Sequence, residues 1–130
     1  MEMPVFASMA SGGANGLIAL GGPVPWNARL RSAWYIPTDA SQAATKSTSY
    51  RLLTLVNVGT GGAGTVVMAN LTMSATIASL VAQGFAVNTD TSATVPAGQV
   101  VAASQITVGG TDANGTVLRA GQIFLSWEVI

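Results

Sequence analysis

Tyr50-Arg-Leu-Leu-Thr-Leu-Val-Asn-Val58, Gly59-Thr-Gly-Gly-Ala-Gly64 and Thr65-Val-Val-Met-Ala-Asn-Leu-Thr-Met73 follow one another in this chain. Two runs of β-branched and large apolar residues flank a six-residue loop with four glycines. Such runs bounded by glycine are the signal for two strands joined by a loop. Gly59, Gly61 and Gly64 also fit Gly-x-Gly-x-x-Gly, the spacing that cradles a dinucleotide pyrophosphate. That site needs a helix after the glycines and an acid about 20 residues further on. The run after Gly64 is rich in β-branched residues and makes a poor helix. The next acid, Asp90, lies 26 residues past Gly64. A Walker loop fails as well, because Gly64 is followed by Thr65-Val66 and not by Lys-Ser/Thr. The stretch is read as a β hairpin, and a dinucleotide-binding enzyme fragment ranks third among the functional readings.

Working outward, the 130 residues suit one domain with a single core. Only 8% of them are charged, and the formal net charge is zero, where a soluble monomer normally carries charge to resist association. Much of the surface is therefore expected to be covered by other protein. No apolar run reaches the roughly 18 residues of a membrane helix, so no membrane partner is expected. Met1-Glu2-Met3-Pro4 has no basic region leading into an apolar stretch, and no signal peptide is expected. With no cysteine and no histidine, thiolate sites, the commonest metal ligand and the commonest general base are all missing. Arg29, Arg31, Lys46, Arg51 and Arg119 are too few for a nucleic-acid footprint.

Residues 1–28 read as an extended N-terminal arm. Glycine and proline interrupt it throughout, yet it carries Phe6, Leu17 and Trp26. Docking on another subunit is expected of it, with the large side chains filling pockets. Residues 29–130 read as the folded domain. In 29–36, Leu30, Trp34 and Ile36 fall on one side with Ser32, and Arg29, Arg31, Ala33 and Tyr35 on the other. That is a strand with one wet or interfacial face. Residues 50–58, 65–73 and 84–87 have strand character, whereas 75–83 fit either a short helix or a strand. Val95-Pro-Ala-Gly-Gln-Val100 recurs as Leu118-Arg-Ala-Gly-Gln-Ile123, each a turn feeding a strand. Asn114-Gly115 is a tight-turn signal. In the last strand Ile123, Leu125, Trp127 and Val129 share a face. Seven or eight short strands with turn punctuation make an all-β, antiparallel β-sandwich of jelly-roll type.

Candidate chemistry is sparse. Asp39, Asp90, Asp112 and Glu128 are scattered; Asp90 and Asp112 sit in turn contexts and are expected to bond turn backbone. A Ser-Lys pair would have to use Lys46, in a solvated loop. Asn70-Leu-Thr72 and Asn114-Gly-Thr116 match the glycosylation pattern by chance. Trp34 and Trp127 are expected in the core, with Trp26 the freer one. No catalytic residue, cofactor or metal is assigned. The expected interface residues are Phe6, Leu17, Trp26, Arg29, Arg31 and Tyr35, the arginines pairing with acidic groups of a partner.

Residues 29–130 resemble the small β-sandwich head-decoration (cement) proteins of tailed bacteriophages. The resemblance rests on low charge, on the Leu55-Val-Asn-Val-Gly-Thr-Gly-Gly-Ala-Gly-Thr65 hairpin, and on the ending Val117-Leu-Arg-Ala-Gly-Gln-Ile-Phe-Leu-Ser-Trp-Glu-Val129. It implies a virion protein, made in the host cytoplasm, that binds the major capsid protein on the capsid surface and itself, often as a trimer. No catalytic residues are implied. A carbohydrate-binding sandwich of a phage fibre or receptor-binding protein is the alternative.

Overall fold

The structure is a computed structural model that describes residues 2–9, 16–20, 23–37, 49–73, 80–109 and 121–130. Its elements in chain order are β1 (Glu2–Met9), β2 (Gly16–Ala19), β3 (Ala28–Pro37), β4 (Ser49–Gly59), β5 (Val66–Met73), β6 (Gln83–Gly84), β7 (Ala86–Val87), a 3-10 turn (Thr91–Ala93), β8 (Thr94–Val95), β9 (Val100–Gly109) and β10 (Gly121–Val129). The described residues contain no α-helix. Residues 75–79 lie outside them; Leu80 is a turn and Gln83 opens a strand.

Every strand pair is antiparallel. The first sheet runs β1-β10-β3-β6, with β8 also on β3, and the second runs β2-β9-β4-β5-β7. The first strand thus pairs with the last, and the second with the last but one. The chain behaves as one long folded ribbon rolled into two sheets, the order of a jelly roll. The all-β sandwich expected from the sequence is the observed fold.

Alternation supplies the core between the sheets. Leu53 and Leu55 of β4, Val101 and Ala103 of β9, and Ile123, Leu125 and Trp127 of β10 all face it and are buried. Each large aliphatic or aromatic side chain there stabilises by about 1.5–3 kcal/mol. Ala97 and Gly98 form the turn before β9, as the Ala-Gly spacing predicts.

The Gly59–Gly64 stretch is a hairpin loop, since residues 66–73 continue as a strand and no helix among the described residues follows the glycines. Asn57 anchors its root: its side-chain carbonyl accepts from the Gly59 N–H at 2.9 Å and its amide donates to Gln99 at 2.6 Å. Gly59 adopts φ 70°, a region that costs glycine little. Across the loop, the Gly64 N–H donates to the Val58 carbonyl at 2.9 Å.

The arm expected over residues 1–28 is where structure and sequence part. Backbone of Glu2–Met9 pairs with β10 of this chain over eight positions, and Gly16–Ala19 pairs with β9 over four. These residues extend both sheets of their own chain. The physical reason is that pairing needs only backbone, which glycine-interrupted segments still supply, and that both sheets otherwise end on an open edge at β10 and β9.

Candidate functional site

The feature that sets the outer surface is a bulge in β3. Ser126 of β10 pairs with Ser32, but the next residue, Trp127, pairs with Leu30. Two steps on β3 answer one on β10, so Arg31 is the extra residue of a β-bulge. A one-residue insertion exchanges the faces of everything beyond it. Ala28 and Leu30 face the core on one side of the bulge, and Ala33, Tyr35 and Pro37 on the other.

Two sequence expectations are corrected by this shift. Trp34, expected in the core, stands on the outer face and is 41% exposed. Tyr35, expected at an interface, is fully buried among the core residues. Trp127, on the unbulged strand, is buried as expected.

The outer face of the first sheet is ordered in rows by the registers of β1, β10 and β3. Phe6, Phe124, Trp34 and Gly84 are successive backbone partners across four strands. The Trp34 ring leans over Gly84, where a side-chain methyl group would meet its Cζ3 at 3.1 Å. Pro4, Ser126 and Ser32 form the next row, and Glu2, Glu128, Arg29 and Thr94 the one after a further step. Arg31 forms an ion pair with Glu128, the two side chains being 46% and 33% exposed. An exposed pair of this kind contributes about 0–1 kcal/mol. Arg29 is half-buried and pairs with no acid among the described residues, and its Nε is buried with no hydrogen-bond partner there. A shallow cavity of about 140 Å³ beside it is bounded by Arg29, Arg31, Val87, Asn88 and Thr89.

Of the other expected interface residues, Trp26 lies on the bend between β2 and β3 at one end of the sandwich and is 49% exposed. Its neighbours hold that bend. Val24 exchanges backbone bonds with Gln99 and Gly98 at 2.9 and 2.7 Å, and the Asn27 side chain accepts from the Ala97 N–H at 2.9 Å. Phe6 and Leu17 have backbone places in β1 and β2, opposite Phe124 and Ser104; their side chains lie outside the described set.

A second concavity, about 470 Å³, lies at that same end. Val58, Val100 and Ala102 floor it and Gly59–Gly62 wall it. Sequence reading missed it, because it depends on a second bulge. Asn57 pairs with Val101 but Gly59 with Val100, so Val58 is the extra residue. Val56, Val58 and Ala102 form a small buried cluster separate from the main core.

Asp90 does what the turn context predicts. Its carboxylate accepts from the Ser92 hydroxyl and from the Ser92 N–H at 2.9 Å, which holds its pKa below the ordinary 3.8. Among the described residues no three acidic side chains gather as a metal site would require. Asp39, Lys46, Asp112 and the Asn114-Gly115 turn lie outside the described residues.

No family model matches the chain, and no curated protein matches it. Among solved structures, a chain in the structure of infectious bursal disease virus Gx strain aligns over 96% of this chain at 10% identity and a TM-score of 0.36. This chain spans 33% of that one.

Proposed function

We propose that this chain is a non-enzymatic structural protein of a virion: a decoration or cement protein that seats on the outside of a tailed-phage capsid. There it would hold neighbouring copies of the major capsid protein together. The observation that carries the reading is the distribution of exposed large apolar side chains. Trp34 is on the outer sheet face, Trp26 is at one end, Val66 and Val67 follow the glycine loop, and Leu80 and Val81 come just before β6, each between 39% and 72% exposed. They occupy several sides of a sandwich in which only 8% of residues are charged. With so few charges among them, these side chains would be covered by several neighbours at once on an assembled shell. Binding to the assembled shell and not to its free subunits would stabilise the shell by mass action. Jelly-roll sandwiches serve as viral capsid and lectin domains alike, so the fold is compatible with this role without requiring it.

The test is to find the chain in purified particles at a copy number in fixed ratio to the major capsid protein. Trp26→Ala should weaken its return to stripped particles by about 2 kcal/mol if Trp26 anchors the contact. Absence from particles, with the chain recovered only as free protein, would sink the proposal.

Trp26, raised on a bend at the end of the sandwich, also favours a second reading, a carbohydrate-binding module of a fibre. Retention on a glycan column, lost with Trp26→Ala, would support that reading over the first.

A further inference from the structure

We propose that the outer face of the first sheet is a two-fold self-contact, its partner being the same face of a second copy of this chain. The inference goes beyond the virion reading and does not depend on it.

The charges on this face are separated across a line. Glu128 lies on β10 and its backbone partner Arg29 lies on β3. Arg31, at the bulge, adds to the basic side. The midline between β10 and β3 therefore divides acidic positions from basic ones within one row. An axis along the strands, lying in the interface above that midline, exchanges the two halves. It sets Glu128 of one copy over Arg29 of the other, and Arg29 over Glu128. Both contacts arise together, as an isologous interface demands. The same operation lays the Phe124–Trp34 row on the partner's Trp34–Phe124 row, so apolar meets apolar. Ser126 and Ser32 form the row between, with side chains small enough for the faces to approach.

Arg29 is the residue that calls for a partner. It has no acid among the described residues, while Glu128 is held only by an exposed pair with Arg31. A carboxylate arriving from above would meet the guanidinium of Arg29 and not its buried Nε, as one half of an opposite-charge contact. The resulting symmetry is two-fold, whereas the sequence resemblance implies a trimer.

Sedimentation equilibrium of the 130-residue chain should give the mass of two chains at micromolar concentration. Arg29→Glu and Glu128→Arg should each weaken the dimer by about tenfold or more, since each sets like charges opposite one another twice. Mixed in equal amounts, the two variants should recover the two-chain mass, because the heterodimer restores both opposite-charge contacts. A merely structural role for either residue would not produce that recovery. If a charge variant fails to fold by circular dichroism, Trp34→Ser on the exposed row takes its place and should also weaken the dimer. A monomer or a three-chain mass for the unmodified chain, dimerisation undiminished by these substitutions, or no recovery on mixing folded variants would overturn the proposal.

Discussion

Trp34 and Trp127 stand on opposite faces of the same sheet, one 41% exposed and the other 3%. Arg31, the extra residue between them, makes the difference. Their energetic weights should differ accordingly. Trp127→Ala empties a core position and should cost about 3–5 kcal/mol. Trp34→Ala removes a ring that is 41% exposed and rests over Gly84, and should cost less, about 1–2 kcal/mol. Chemical denaturation of the two variants checks this. Equal losses would mean that Trp34 is packed inside, as an unbulged strand would have it.

Gly64 is the glycine of the loop whose Cβ position is already occupied by backbone. A Cβ there would lie 2.7 Å from the Asn57 carbonyl oxygen and 2.8 Å from the Val58 carbonyl carbon. Both are backbone atoms and cannot step aside. Gly64→Ala should therefore cost about 1–3 kcal/mol as an overpacking substitution. At Gly61 nothing lies within 4 Å of a Cβ, so Gly61→Ala should change stability by less than about 0.5 kcal/mol. Thermal melts that rank the two the other way round would overturn this account of the hairpin.

How far the fold could be read from sequence follows from where alternation is regular. In β10, Ile123, Leu125 and Trp127 keep strict period two, and all three lie in the core as that period requires. The hairpin about Gly59–Gly64 was legible because β-branched runs bounded by glycine have one economical arrangement. Bulges were not legible. They depend on which strand lies alongside, and a count along β3 alone has no means of finding that Arg31 is unmatched. That single insertion moved Trp34 out and Tyr35 in, and with them the candidate surface. The fate of residues 1–28 was hidden for a similar reason. Their side chains suggested anchors without a core, but β1 and β2 are held by backbone pairing to β10 and β9, over 100 and 80 residues away in sequence. The rows of the outer face arise only once three strands are in register.

Asp90 supplies a pH-dependent test of the turn before β8. The Ser92 hydroxyl, and then the Ser92 N–H, donate to its carboxylate and lower its pKa from 3.8. The folded value lies below the unfolded one, so the contribution is present above the ordinary carboxylate range. It is lost as pH falls through the folded value. Ser92→Ala removes the larger cause, and Asp90 should then titrate closer to 3.8. Asn88 loses its 3.1 Å bond to the hydroxyl but keeps the 2.8 Å bond to the Val67 carbonyl, so the turn should survive. Side-chain carboxyl NMR across the acid range reads the shift. An Asp90 titration unchanged by Ser92→Ala would show that the backbone alone sets it.

Leu80 is the described non-glycine residue with positive φ, at 61°, and it is 72% exposed. Left-handed backbone costs an L-residue with an ordinary Cβ roughly 1–2 kcal/mol. Asparagine tolerates that region far better, because its short polar side chain bonds locally. The exposed leucine gives back little burial in return, while the Leu80 N–H donates to the Pro37 carbonyl at 2.7 Å, a backbone bond that asparagine keeps. Leu80→Asn should therefore raise the stability of the isolated chain by about 0.5–1 kcal/mol. Leu80→Val, with its branched Cβ, should lower it by a similar amount. If the Leu80–Val81 stretch is one of the surfaces buried on a particle, the same Leu80→Asn substitution should weaken binding while it stabilises the free protein. That opposition is expected where strain is retained for a contact made elsewhere. Parallel melts of the free chain and binding assays on particles separate the two effects. A loss of stability in Leu80→Asn would mean that the leucine side chain, exposed as it is, holds its turn in place.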